Sequence, residues 1–120
     1  MEFLNKIELR GVVGRADLNA FNGIQVCNFS VVTEYSAVDK DGNPSVDTAW
    51  FNVKAWEGRA GSPLDLSRIQ KGIWVRVVGR VRQRKYTKDD EDRTSWDVLA
   101  RVVELIPRED EQPMQPQRDW

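Results

Sequence analysis

The feature that most constrains this chain is a period-two alternation of apolar and polar residues that recurs through most of its length. In residues 48–56, TAWFNVKAW, a strand places Ala49, Phe51, Val53 and Ala55 on one face and Trp50, Asn52, Lys54 and Trp56 on the other. The second face should be the wet one, yet it carries two tryptophans flanking a lysine. Tryptophan is costly to leave in water, so that face calls for a covering partner. The same alternation puts Ile7, Leu9, Gly11 and Val13 on one side of a first strand, which gives way to the polar RADLNAFNG. Cys27, Phe29 and Val31 are in register in a second strand, IQVCNFSVVTEY, followed by the turn-rich DKDGNP. A fourth strand from residue 73 to about 87 sets Ile73, Val75, Val77, Gly79 and Val81 against Trp74, Arg76, Val78, Arg80, Arg82, Arg84 and Tyr86. A fifth covers about residues 96–106, after a loop TKDDEDRTSW.

Between the third and fourth strands, SPLDLSRIQKG carries helix punctuation: Ser62 as N-cap, Pro63 at the first helical position, Asp65 completing an S-x-x-D box and Gly72 past the end. Three strands, a short helix and two strands match an all-β, five-stranded Greek-key OB-fold barrel with its helix between strands 3 and 4. Barrel closure accounts for the alternation, since one face of each strand fills the interior. Another small barrel or a sandwich is compatible with the periodicity alone; the helix position favours the OB-fold. With 120 residues the chain suits one domain, expected over residues 1–107. The tail, residues 108–120, is polar and rich in Pro and Gln, and is expected to be disordered.

Composition removes several functional classes. There is no histidine, which excludes the usual general base, the triads built on it and most zinc sites. No cofactor is implied and no enzymatic chemistry is expected. Cys27 is the only cysteine and reads as a small core hydrophobe. No stretch is apolar enough to span a membrane or act as a signal peptide, so a cytoplasmic protein is expected. DKDGNPSVDT lacks the ligand spacing of an EF-hand and reads as a turn. The acidic run Asp89 to Asp92 is not a preorganised Mg²⁺ site.

The 18 basic and 19 acidic residues nearly cancel, but they are unevenly placed. Residues 68–88 hold Arg68, Lys71, Arg76, Arg80, Arg82, Arg84, Lys85 and Lys88 with no acidic residue among them. Were strands three and four neighbours on the barrel wall, these cations would mingle with Trp50, Lys54, Trp56 and Tyr86 on one outer surface. Such a surface suits single-stranded nucleic acid, whose bases stack on aromatic faces while phosphates meet cations. A duplex would leave the aromatics without partners.

In LNKIELRGVVG, CNFSVVTEY, TAWFNVKAW, KGIWVRVVGRVRQRKYT and DVLARVVEL the chain resembles the bacterial single-stranded DNA-binding proteins, from Leu4 to about Ile106. The resemblance implies a non-enzymatic OB-fold protein that binds single-stranded DNA with little sequence preference in replication, recombination or repair, as a homo-oligomer, most simply a tetramer. It implies base stacking at Trp50, Trp56 and Tyr86, another stacking aromatic at Tyr35, and basic positions on the DNA path at Lys71, Arg82, Arg84 and Lys85. Lys54, Arg80 and Lys88 join the candidate site from charge and strand parity. In the tail, the family's acidic tip is reduced to Asp119 and Trp120 after Arg118, which argues against recruitment of replication or repair proteins by this route. The acidic run 89–92 would repel phosphate if it folded onto the binding face. Trp74 and Trp96 read as packing or interface residues. The alternatives are an RNA-binding or primosome-type OB accessory protein, and a protein-interaction subunit whose aromatic face binds protein.

Overall fold

The computed structural model describes residues 2–58 and 65–107. Its five strands are β1 (Ile7–Phe21), β2 (Ile24–Val38), β3 (Pro44–Trp56), β4 (Trp74–Lys88) and β5 (Glu91–Ile106), closed into a barrel in the order β1-β2-β3-β5-β4. Closure runs through antiparallel pairing of β1 with β4, from Ile7 opposite Gly79 to Val12 opposite Trp74. The interior is filled by the apolar parity of each strand: Leu9 and Val13, then Cys27, Phe29 and Val31, then Val53 and Ala55, Val75 and Val77, and Val98, Ala100 and Val103. Each fully buried valine or phenylalanine contributes roughly 1.5–3 kcal/mol. Cys27 belongs to this core; burial pushes its thiol up to about 11, so it stays neutral.

The barrel is tight where glycine replaces a side chain on the inner parity. A Cβ on Gly79 would collide with the Leu99 carbonyl oxygen of β5. Such a clash with backbone has no cheap relief.

Three features differ from the expectations above. The stretch RADLNAFNG is not a loop: β1 runs through it to Phe21, pairs with β2 as far as Phe21 opposite Ile24, and turns at Asn22 and Gly23, both at positive φ. Asn-Gly is the pairing that a two-residue hairpin turn of this hand favours. TKDDEDRTSW is likewise a continuation of β4 and β5 around a two-residue turn at Asp89 and Asp90, with Lys88 opposite Glu91. Among the described residues the helix is a single 3₁₀ turn, Leu66–Arg68, capped by Asp65, whose carboxylate accepts from the Ser67 N–H at 3.0 Å and the Ser67 hydroxyl at 2.8 Å. Those bonds hold the Asp65 carboxyl below its usual range. Ser62, Pro63 and the tail 108–120 lie outside the described residues. The DKDGNP turn is as expected: the Asp39 side chain accepts from the backbone N–H groups of Asp41 and Asn43, both at 2.9 Å.

Candidate nucleic-acid interface

The outer parity of β2 and β3 builds the first part of the site. Because Phe29, Val31, Val53 and Ala55 face inward, Asn28, Ser30 and Val32 face outward beside Lys54, Asn52 and Trp50, their cross-strand partners. Trp50 is 63% exposed and reaches across β2: its six-membered ring occupies the space that a Cβ on Gly14 would take, with Ser30 Oγ 3.0 Å from that point. Gly14 is the extra residue of a bulge between Val13 and Arg15, which leaves a bare patch of backbone for the indole to lie on. Four residues further on from Asn52, Trp56 is half-buried, and the Lys54 ammonium sits 5.8 Å from its ring centroid, a cation–π contact.

The cations of β4 reach this surface by a different route from the one expected. β3 and β4 are not neighbours; β5 lies between them. The β3–β5 pairing is parallel and spans only Val53 opposite Val98 and Lys54 opposite Leu99. So narrow a seam lets side chains from β3 and β4 meet over β5. Trp56 shares a groove with Arg80 and Arg82, together with Lys6 and Arg101. Lys54 shares an adjoining cleft with Arg84, Arg15 and Asp97.

The strip that is free of acids in sequence is not free of them in space. Asp97 of β5, its side chain 12% exposed, accepts from Arg82 Nη2 at 3.1 Å and pairs with Arg84 Nε at 3.3 Å. The two guanidiniums are thereby held side by side on the outer face. Arg76 is spoken for: its Nε donates to Glu8 and its Nη1 to Glu104, each at 2.8 Å. This ladder across β1, β4 and β5 holds the Glu8 carboxyl below its usual range and raises Arg76 further. The acids sit on strands paired with β4, which a linear scan of charge does not register.

Of the expected site residues, Lys54, Trp56, Arg80, Arg82 and Arg84 converge over the β3–β5 seam, whereas Trp50 lies toward β2 and β1, over Gly14. Tyr86 and Lys88 continue the parity of Arg84 outward along the hairpin, opposite Arg93 and Glu91. Lys85 points to the other side of that hairpin. Tyr35 has the parity of Val31, opposite to that of Trp50, and is exposed on the β2–β3 arm. Lys71 lies before β4, thirteen residues and on the order of 40 Å of chain from Arg84 at strand rise. The acidic run is at the hairpin tip: Asp89 is five residues from Arg84, about 17 Å along an extended strand. It is held out from the seam and does not fold onto it. Trp74 and Trp96, expected to be packing or interface residues, are 40% and 59% exposed in the protomer.

Residues that the sequence reading passed over are Arg15, Asn28, Asn52 and Asp97, which line the cleft, and Phe21, exposed at the tip of the β1–β2 hairpin. Phe21 pairs with Ile24, whose parity is that of Val26 and hence of its partner Trp56. The signal for Asn28 was present in the β2 alternation, and the signal for the hairpin in the dipeptide Asn22-Gly23.

Chemically the surface offers flat aromatic faces, paired guanidiniums and carboxamides, and no nucleophile with a partnered base. Among the described residues no group of carboxylates or cysteines could hold a metal ion. Residues 4–106 match the model of the "Single-strand binding protein family". A single-stranded DNA-binding protein from Neisseria meningitidis is 34% identical over 106 residues, covering 86% of this chain and 60% of the relative. One from Xanthomonas axonopodis pv. citri is 28% identical over the same length, covering 86% and 58%. The chain thus spans about 60% of the length of these curated relatives. Among solved structures, a Plasmodium falciparum SSB in complex with ssDNA superposes with a TM-score of 0.76 at 24% identity, covering 89% of this chain and 98% of the other. A small single-stranded DNA-binding protein from Streptomyces coelicolor gives 0.66 at 20%, covering 87% and 96%. At those identities the likeness is one of fold.

Proposed function

The chain belongs to the single-strand binding protein family, and from that premise we propose that it binds single-stranded DNA with little sequence preference, protecting it in replication, recombination or repair. The protein acts by binding alone, in the cytoplasm, and catalyses no reaction. Trp50, Trp56 and Tyr86 are the stacking platforms, each stacked base being worth ~1–3 kcal/mol. Lys54, Arg80, Arg82, Arg84 and Lys88 neutralise phosphates beside them. Tyr35, Lys71 and Lys85 meet DNA only where the strand leaves this face.

The observation that carries the reading is the row of cations from β3 and β4 that meets Trp56 over the β3–β5 seam, with Trp50 turned outward on the same face of β3. Neither half has an equally good use alone. Cations would serve any polyanion, whereas outward indoles need an unstacked base or a protein surface.

Titration of intrinsic tryptophan fluorescence with oligo-dT, oligo-rU and duplex DNA at one salt concentration tests it. Oligo-dT is expected to quench emission strongly and saturably, and duplex weakly. Equal responses to single strand and duplex, or no quenching, would contradict the stacking role. A stronger response to oligo-rU would reassign the protein to RNA.

A further inference from the structure

Between Trp50 and Trp56 lie about 20 Å of extended strand, a span that stacking on either ring leaves unfilled. The outward residues in that span are Asn52 and Lys54, and they open onto the cleft shared with Asn28, Arg15, Arg84 and Asp97. The cleft exists because β3 and β5 part company before Val53 and Val98, so that the β2–β3 and β4–β5 arms stand apart. Its volume is about 280 Å³, just below the roughly 300–1,000 Å³ of small-molecule sites.

We propose that this cleft takes one nucleobase at a time and hydrogen-bonds its edge through the side chains of Asn28 and Asn52. The inference rests on the single-strand reading above and deepens it, adding base-edge recognition to a surface otherwise built for stacking and charge. Neither carboxamide is bonded to another described residue, although they sit on adjacent strands in the same cleft, diagonal neighbours about Ser30 and Lys54. A carboxamide presents both a donor and an acceptor, as the edge of a base does. The phosphates on either side of that base are left to Lys54, Arg84 and Arg15, which line the same cleft, Arg84 and Arg15 being also paired with Asp97 and Asp17 at 3.3 Å. Thymine, with two carbonyls and one N–H on its edge, matches two carboxamides.

The test compares oligo-dT with an oligonucleotide of the same length in which difluorotoluene, a thymine-shaped ring without carbonyls or N–H, replaces the bases. Stacking and phosphate contacts persist in the second probe; edge hydrogen bonds do not. The native chain is expected to bind oligo-dT roughly two- to tenfold more tightly than the isostere, the yield of one net hydrogen bond. The Asn28→Ala, Asn52→Ala double variant is expected to bind both probes alike, with an unchanged melting curve. Equal affinities for the two probes in the native protein would overturn the proposal, as would a double variant that kept the preference. Saturable quenching by oligo-dT with no preference over the isostere would sink the base-reading cleft alone. Absence of any single-strand binding would sink the proposed function with it.

Discussion

At Gly14 the absence of a side chain decides where Trp50 lies. The indole rests on bare backbone at the β1 bulge, and a methyl group there would push the ring edge toward solvent. Since the displaced atoms are the far end of an exposed side chain, Gly14→Ala is expected to alter stability by under about 1 kcal/mol, within the range of tolerated surface changes. Affinity for oligo-dT should fall by up to the worth of one stacked base, ~1–3 kcal/mol. Thermal melting and fluorescence titration of the same sample check both; a variant that melts early yet binds normally would show that Trp50 owes nothing to this seat. At this scale much was legible. Strand parity placed Trp50, Lys54 and Trp56 outward and Cys27, Phe29 and Val31 inward, because a residue's face depends only on its neighbours along the chain. Asp97 was not legible: its link to Arg82 and Arg84 is a cross-strand register, set by closure of the barrel.

The elements divide along the same line. Where a strand covers the core its alternation is plain, and all five were visible over their buried halves. Where the hairpins β1–β2 and β4–β5 project beyond the barrel, neither face is buried and the alternation vanishes, so RADLNAFNG and TKDDEDRTSW read as loops. The order of strands is invisible to local pattern, which is why β5 intervenes between β3 and β4 unannounced. The turn at the tip of β4–β5 is the less favourable of the two, since Asp89 and Asp90 both hold positive φ. Replacing them by Asn and Gly (Asp89→Asn, Asp90→Gly) is expected to stabilise the fold by up to ~1 kcal/mol, by relieving left-handed strain at a residue with a Cβ. The same variant removes two charges about 17–20 Å along the strand from Arg84, beyond the ~10 Å Debye length at 0.1 M salt and within the ~30 Å length at 0.01 M. Affinity for oligo-dT should therefore change little at the higher salt and rise at the lower one. Melting curves and titrations at the two salt concentrations test this pair of outcomes; a large gain at 0.1 M would mean that the acidic tip lies nearer the bound strand than the hairpin places it.

For the whole molecule, the protomer leaves Phe3, Leu4, Trp74 and Trp96 uncovered. Apolar surface of that kind is expected to be covered by further copies of the chain, with a tetramer the simplest closed assembly. Light scattering at micromolar concentration should report an oligomer, and a monomer would leave those side chains without a role. The account as a whole rests on a division of labour on one face, in which aromatics hold bases and guanidiniums hold phosphates. Counterions leave only where phosphates are neutralised, so log K should fall against log salt by ~0.7 per phosphate contact on a single strand. The decisive measurement is the affinity for oligo-dT across a salt series in the native protein, Arg84→Ala and Trp50→Ala, with oligomeric state checked in each. Arg84→Ala should flatten the slope by roughly 0.7, while Trp50→Ala should weaken binding by ~1–3 kcal/mol at every salt concentration and leave the slope in place. A flattened slope in Trp50→Ala together with an unchanged one in Arg84→Ala would contradict the assignment.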